Sequence, residues 1–464
     1  MTVDEKIKNR KVGVIGMARS GMAAAYLVKS RGGHPFVSDS ARAELLTKQT
    51  DRLSRDGISF ETDRHSDALL NCDYLVVSPG VPPDIDILQK ARQKGLPVFS
   101  ELELAAWVCR GRIIAVTGSN GKTTTTTLIG EIFAAAGFKS FVCGNIGLPL
   151  SQVASQIGTD DIAVVEVSTF QLEAIADFKP QVALILNLTA DHLDRHGSFE
   201  RYKELKFRIS ENQMADNFLI LNGDDDQIRS YNKVPGRAAR MFFTVTDNND
   251  HNAFVRNGYL YGRYGQKDMK IISATEILVP GPHNLQNAAA AVCAAVLFDI
   301  EPGTIAKVLR SFPGVEHRLE KAGRVAGVNF INDSKATNID SVCYALRSIE
   351  TPIYLIAGGR DKGNDYRPLI EYGRGKIKGL IVIGEARERI LNALGQFFPV
   401  LFADSLEEAV RKSFEQAHPG ETVLLSPGCA SFDMFDNYEH RGSVFKTAVM
   451  SLKNGTQQDQ KIPG

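Results

Sequence analysis

Lys122 and Thr123 directly follow the turn Gly118-Ser119-Asn120-Gly121. An apolar run over residues 113–116 precedes the turn, and a helical pattern, Leu128, Ile129, Ile132 and Phe133, comes after it. Strand, glycine turn, Lys-Thr and helix is an arrangement that holds phosphates. Glycines let backbone N–H groups crowd the oxygens, and the helix N-terminus adds positive potential. The lysine adds a point charge, and the threonine hydroxyl can ligate Mg²⁺. Thr124 carries the hydroxyl run into the helix. The usual spacing has a glycine where Val116 stands, so a turn made only for packing competes with this reading. The flanking strand and helix favour a nucleoside triphosphate site.

Other polar residues close apolar runs on the same side. Glu166 ends a run over 163–167 and should lie beside the Thr123 hydroxyl. It is the carboxylate best suited to Mg²⁺, which takes few protein ligands, chiefly oxygen; a helix cap or an ion-pair partner is the bland alternative. Gly144-Asn145 and Asp191-His192-Leu193-Asp194 also follow strands. Imidazole suits softer metals, and a plain surface loop competes for the second group. Lys206, in an amphipathic stretch over 199–212, is by itself an ordinary helix lysine. Farther on, Lys335 and Lys362 each follow a strand. Such lysines can neutralise a transferring phosphoryl group or hold a carboxylate, although each alone is more often solvated. With Arg318, Asp333, Thr337 and Ser431 they read as one polar face aimed at a cleft with the nucleotide-binding part.

A second strand–turn–helix opens the chain. Residues 11–16 form a strand ending in Gly16, Met17-Ala18-Arg19-Ser20-Gly21 is a turn, and a helix follows over 22–29. A strand over 35–38 ends at Asp39, where a ribose contact would sit in a Rossmann-like unit. Ala18 replaces the middle glycine of the dinucleotide fingerprint. A packing turn or a nucleotide-sugar site therefore competes with NAD binding. Ser78-Pro79-Gly80 follows another buried strand, over 74–77.

The elements that must position these groups alternate strand and helix throughout, which predicts α/β architecture with parallel sheets. With 464 residues the chain exceeds a single core. Three domains are expected: 1–100, Rossmann-like; 101–314, P-loop ATPase-like; and 315–464, again Rossmann-like. A helical stretch over 99–110 links the first two. Asp224-Asp225-Asp226 reads as a solvated turn, and the polar stretch 453–464 as disordered. Lys+Arg and Asp+Glu balance at 54 each, so no global field draws in nucleic acid or an anionic membrane. Six scattered cysteines without a CxxC pair, a polar N-terminus and no long apolar run predict a cytoplasmic protein with reduced thiols.

Taken jointly, these motifs carry a family. Gly118 to Thr123, Glu166 to Glu173 (reading Glu-Val-Ser-Thr-Phe-Gln-Leu-Glu), Asp191-His192, His283-Asn284, Asn287, His317-Arg318, Asn332 to Asn338 and Gly358-Gly359 resemble the ATP-dependent Mur ligases of peptidoglycan synthesis. The folylpolyglutamate synthases are relatives of that family. Ser78-Pro79-Gly80, Phe170-Gln171-Leu172-Glu173 and Ser426 to Ser431 look most like its D-glutamate-adding members.

The resemblance implies that ATP phosphorylates the terminal carboxylate of UDP-N-acetylmuramoyl-L-alanine and that D-glutamate then displaces phosphate. It implies catalytic roles for Lys122, His192, Lys206, Lys335 and Lys362. Two Mg²⁺ ions would be held by Thr123, Glu166, His192 and a carbamylated Lys206, which requires a neutral amine first. ATP would meet Gly118 to Thr124, Asn284, Asn287, Arg318 and Asp333. The UDP substrate would meet Arg19, Ser20, Asp39, Ser78 and Asn145; D-glutamate would meet Thr337, Lys362, Ser431, Phe432 and Tyr438. An arginine expected just after Ser40 is displaced to Arg42 or absent, and the first turn departs from a Gly-x-Gly form. Arg19 could stack on uracil instead. A monomer is expected.

Overall fold

The computed structural model describes residues 3–191, 193–246, 251–361 and 363–459. It divides into two compact units, Met1–Phe312 and Pro313–Gly464. The first unit holds two sheets. In the N-terminal sheet β1 (Lys11–Ile15), β2 (His34–Ser38), β3 (Ser59–Glu61), β4 (Tyr74–Val77) and β5 (Val98–Ser100) lie in the order β3-β2-β1-β4-β5. All pairs are parallel. The order reverses at β1, so the loops after β1 and β4 meet at a switch point, where ligands collect in open α/β sheets. The stretch over 99–110 is partly sheet: Phe99 and Ser100 complete β5, and the Ser100 hydroxyl caps the helix Glu101–Val108.

The second sheet begins with β6 (Arg112–Thr117), β7 (Ser140–Gly144), β8 (Ile162–Glu166), β9 (Val182–Ile185), β10 (Phe218–Asn222) and β11 (Ala239–Phe243). It ends with β12 (Ala253–Arg256), β13 (Tyr259–Tyr264) and β14 (Lys267–Ser273), and its order is β14-β13-β12-β11-β10-β9-β6-β8-β7. The strands β6, β8 and β9 are buried throughout or nearly so, as continuous apolar runs covered on both faces should be. An antiparallel extension, β12 to β14, closes one edge. No apolar run in the sequence announces it, because Tyr, Arg and Lys alternate through these strands.

The second unit holds β15 (Glu320–Val325), β16 (Val328–Asn332), β17 (Ile353–Gly358), β18 (Ile377–Ile383), β19 (Val400–Phe402) and β20 (Thr422–Leu425), in the order β15-β16-β20-β17-β18-β19. Every pair but β15–β16 is parallel. Two local expectations need correction. Asp224 and Asp225 are half-buried rather than solvated. Asp225 caps the helix Asp226–Arg229 and accepts from the Leu188 N–H, while Asp224 accepts from the Val245 N–H. Much of the polar C-terminal stretch is helical rather than disordered, since the helix Tyr438–Asp459 runs through it. Adding residues to a formed helix is far easier than nucleating one.

Candidate active site

The loop 118–121 leaves the carboxyl end of β6 and delivers Lys122 to the first position of the helix Lys122–Ala135. Gly121 has φ +81°, and a Cβ there would lie 2.4 Å from Asn287 Oδ1, so both the conformation and the space require glycine. Asn187, just beyond β9, braces the loop: its carbonyl accepts from the Ser119 N–H at 3.0 Å and its Oδ1 from the Asn120 N–H at 2.8 Å. The hydroxyls of Ser119 and Tyr202 lie 2.9 Å apart.

Charged groups converge on this turn. Lys122 Nζ donates to the carbonyls of Gly118 and Ser119, both at 2.8 Å. Thr123 Oγ1 donates to Glu166 Oε2 at 2.7 Å, and Asn145 Nδ2 donates to Glu166 Oε1 at 3.0 Å. Lys206, from the helix Phe199–Phe207, donates to the Gly118 carbonyl at 2.7 Å and lies 4.6 Å from the centre of the Tyr202 ring. Glu166 and Lys206 are both only 2% exposed. Burial drives the Lys206 amine well below its ordinary value, and nearby Lys122 adds to the fall; Asp191 and Glu166 oppose it. Asn284 and Asn287, on the helix Pro282–Val296, adjoin the loop: Thr125 Oγ1 donates to Asn287 Oδ1 at 3.2 Å. Thr124 is buried beside them. His192, expected at this site, lies outside the described residues.

Hard oxygen donors on Thr123 and Glu166 fit Mg²⁺ better than a softer metal. The half-buried end of the turn, Asn120 to Lys122, lies at a helix N-terminus with a lysine and fits phosphate.

The turn at the other sheet is built differently. Asp39 Oδ2 accepts from the Met17 N–H at 2.7 Å and Oδ1 from the Ala41 N–H at 2.9 Å, so both oxygens already pin loops. Gly21 packs so closely that a Cβ would fall 1.8 Å from the Gly16 carbonyl. Ala18 is extended, with φ −75°, and needs no glycine. The buried Ser78 hydroxyl faces Gly16 and Gly21 and has no hydrogen-bond partner among the described residues. Ser20 is half-buried in the first turn of the helix Arg19–Ser30. Arg19 opens on a cleft of about 620 Å³ along that helix and donates to the Gly147 carbonyl at 3.4 Å.

In the second unit, Asp333 is fully buried and accepts from Ser426 Oγ at 2.8 Å and from the Leu319 N–H at 3.2 Å. Burial pushes its carboxyl up to about 6, against the pull of Arg318. Arg318 sits between His317 and Leu319, both at positive φ, a backbone held in a sparsely populated region. Lys335 Nζ lies 5.3 Å from the centre of the Tyr438 ring. Ser431 is buried, Thr337 half-buried and Phe432 60% exposed. Lys362 lies outside the described residues. Arg441, fully buried and missed in the sequence, donates to the carbonyls of Ser334 (2.8 Å) and Cys429 (3.2 Å), stitching two of these loops together. Nothing in its local sequence signals this, since its partners come from distant loops.

Comparison with known proteins assigns the chain to a family. The MurD N-terminal domain description matches residues 11–87, the Mur ligase middle domain 116–295, and the Mur ligase glutamate ligase domain 317–429. The UDP-N-acetylmuramoylalanine–D-glutamate ligase of Chloroherpeton thalassium is 40% identical over 97% of this chain and 99% of its own. The chain belongs to the Mur ligase family. The enzyme of the same name from Acidobacterium capsulatum is 43% identical over 96% of this chain and 97% of its own. Among solved structures, UDP-N-acetylmuramate–alanine ligase from Thermotoga maritima superposes with a TM-score of 0.60 at 19% identity, covering 95% of this chain and 99% of its own. The MurF ligase of Thermotoga maritima, solved with ADP, gives 0.57 at 15% identity, covering 92% and 95%. At these identities the structural matches speak for the Mur ligase fold alone. Among the described residues, no helix is long and apolar enough to cross a membrane.

Proposed function

We propose that this Mur ligase joins D-glutamate to UDP-N-acetylmuramoyl-L-alanine with hydrolysis of ATP to ADP and phosphate, in peptidoglycan precursor synthesis in the cytoplasm. The near full-length identity of 40% to a ligase of that name carries the reading. The charged cluster around Lys122 supplies chemistry that suits it.

A carboxylate is a poor electrophile. An oxygen of the L-alanyl carboxylate attacks the γ-phosphorus of ATP, the bond to the β-phosphate oxygen breaks, and ADP leaves. The amine of D-glutamate attacks the acyl phosphate carbonyl, loses a proton, and phosphate departs as the amide forms. Lys122 swings from its backbone carbonyls to the phosphates, and the loop N–H groups hold them in line. Asn284 and Asn287 flank the nucleotide. Thr123, Glu166 and His192 would hold Mg²⁺, which when bound neutralises phosphate charge. Burial lowers the Lys206 amine's hold on its proton, which suits it to add CO₂ with loss of a proton, giving a carbamate with two hard oxygens. Ser78, Ser20, Asn145 and Arg19 would take the UDP substrate, with Asp39 holding its turn. Arg318 and Asp333 would complete the ATP site, and Lys335, Lys362, Thr337, Ser431, Phe432 and Tyr438 would take D-glutamate. Three domains at 1–100, 101–314 and 315–464, acting in a monomer, fit this division of labour.

An amino-acid panel tests the reading. With ATP, Mg²⁺ and UDP-N-acetylmuramoyl-L-alanine, phosphate release is expected with D-glutamate alone; release with L-lysine or diaminopimelate instead overturns it. Full activity in Lys206→Ala would rule out the carbamate.

A further inference from the structure

The run Phe170-Gln171-Leu172-Glu173 is tied to Arg195 through its two ends. Gln171 completes a capping box with Ser168 at the start of the helix Thr169–Leu172. Phe170 and Glu173 both engage Arg195. Its guanidinium lies 4.0 Å from the centre of the Phe170 ring, and Nη2 donates to Glu173 Oε2 at 2.8 Å. Nη1 reaches the other sheet and donates to the Pro79 carbonyl at 3.0 Å. Behind this, Glu173 Oε1 lies 3.4 Å from His196 Nδ1, and His196 Nε2 lies 3.0 Å from Thr169 Oγ1. Burial raises the Glu173 carboxyl, but His196 and Arg195 outweigh it and hold it below its ordinary value.

The Arg195 and Glu173 side chains are 16% and 18% exposed, so this is not a solvated surface pair of little consequence. The two loops it joins carry different jobs. Pro79 follows Ser78 at the switch point of the N-terminal sheet, whereas Arg195 belongs to the segment after β9 that carries Asp191 and His192. We propose that Arg195 is a positioning residue, fixing the loop that receives the UDP part of the substrate relative to the segment beside its reacting carboxylate. The proposal rests on the function given above. A planar guanidinium can donate in two directions while stacking on a ring; a lysine ammonium cannot keep all three contacts.

Arg195→Lys and Glu173→Gln, with the double variant, test this in the full-length enzyme by varying each substrate in turn. The Michaelis constant for UDP-N-acetylmuramoyl-L-alanine is expected to rise about tenfold, the size of one charged hydrogen bond, in either single variant. Those for ATP and D-glutamate should stay within about twofold, and the double variant should be no worse than the singles. Calorimetric binding of UDP-N-acetylmuramoyl-L-alanine alone should weaken by the same factor, a readout that needs no turnover. The inference is overturned if that binding is unchanged, or if all three Michaelis constants rise together in step with lost thermal stability. A wild-type enzyme inert with D-glutamate would break the proposed function, and the binding measurement would still decide the role of Arg195.

Discussion

Two strand–turn–helix junctions in the same unit, after β1 and after β6, share a sequence grammar and differ in what satisfies them. After β1 the fold uses its own polar groups. Asp39 accepts two backbone N–H groups, and the helix starts beyond an extended Ala18. After β6 the fold buries Glu166 and Lys206 and turns the Lys122 ammonium back onto its own loop carbonyls. Burying charge costs folding free energy that pairing only partly returns. The first turn is thus held by its own side chains, with the Ser78 hydroxyl lacking a hydrogen-bond partner among the described residues, whereas the second gathers charged side chains around a glycine turn whose chemistry fits phosphate.

The largest expected effect tests the second half of that contrast. Lys122→Ala should lower kcat/KM for ATP-dependent phosphate release by on the order of 10³-fold, as loss of a transition-state charge partner does, with thermal stability nearly unchanged. A large loss of stability with modest loss of rate would break the comparison. Asp39→Ala should do the reverse. It strands the Met17 and Ala41 N–H groups, costing about 1–3 kcal/mol in thermal or denaturant unfolding, with kcat reduced far less than in Lys122→Ala.

Lys206 sharpens the comparison through pH. Its folded amine titrates far below its unfolded value, so the unfolded chain binds the extra proton and stability rises with pH toward the ordinary lysine range. In CO₂-depleted buffer without ligands, Lys206→Met should melt higher than the parent near neutrality. The difference should narrow as pH rises to about 10.4; a constant difference would contradict a neutral buried amine. The smallest effect is expected for Ala18→Gly. Restoring the Gly-x-Gly form at a position with φ −75° gains no conformation and should change stability by no more than about 1 kcal/mol, with turnover unaltered.

Much of the fold could be read in the chain, because β6, β8, β9, β16, β17, β18 and β20 are apolar runs ending in polar loops. What escaped was β3, β5, β10, β11, β12 to β14, β15 and β19; most of these are short or alternating, whereas β10, reading Phe-Leu-Ile-Leu-Asn, is an apolar run like those that were read. At the candidate site, the pairing of Thr123 with Glu166 follows from two parallel strand ends lying side by side, since Val116 is in register with Glu166. Asn187, Tyr202, Arg195 and Arg441 left no comparable trace. Each acts through backbone carbonyls or side chains brought from elsewhere, and such contacts impose no spacing on the sequence.

The sequence by itself determined the α/β class and the glycine turn that carries Lys122, because strand periodicity and turn chemistry are local and are written residue by residue, while the joint set of its motifs carried the resemblance to a family. Only the tertiary structure decided that Lys206 is a buried amine, pushed well below its ordinary value by desolvation, rather than a surface lysine. It alone decided that burial pushes the Asp333 carboxyl up to about 6 and that Arg195 ties the loop after β4 to the segment after β9. Desolvation and long-range hydrogen bonds depend on what surrounds a group in space, and the chain order does not record that.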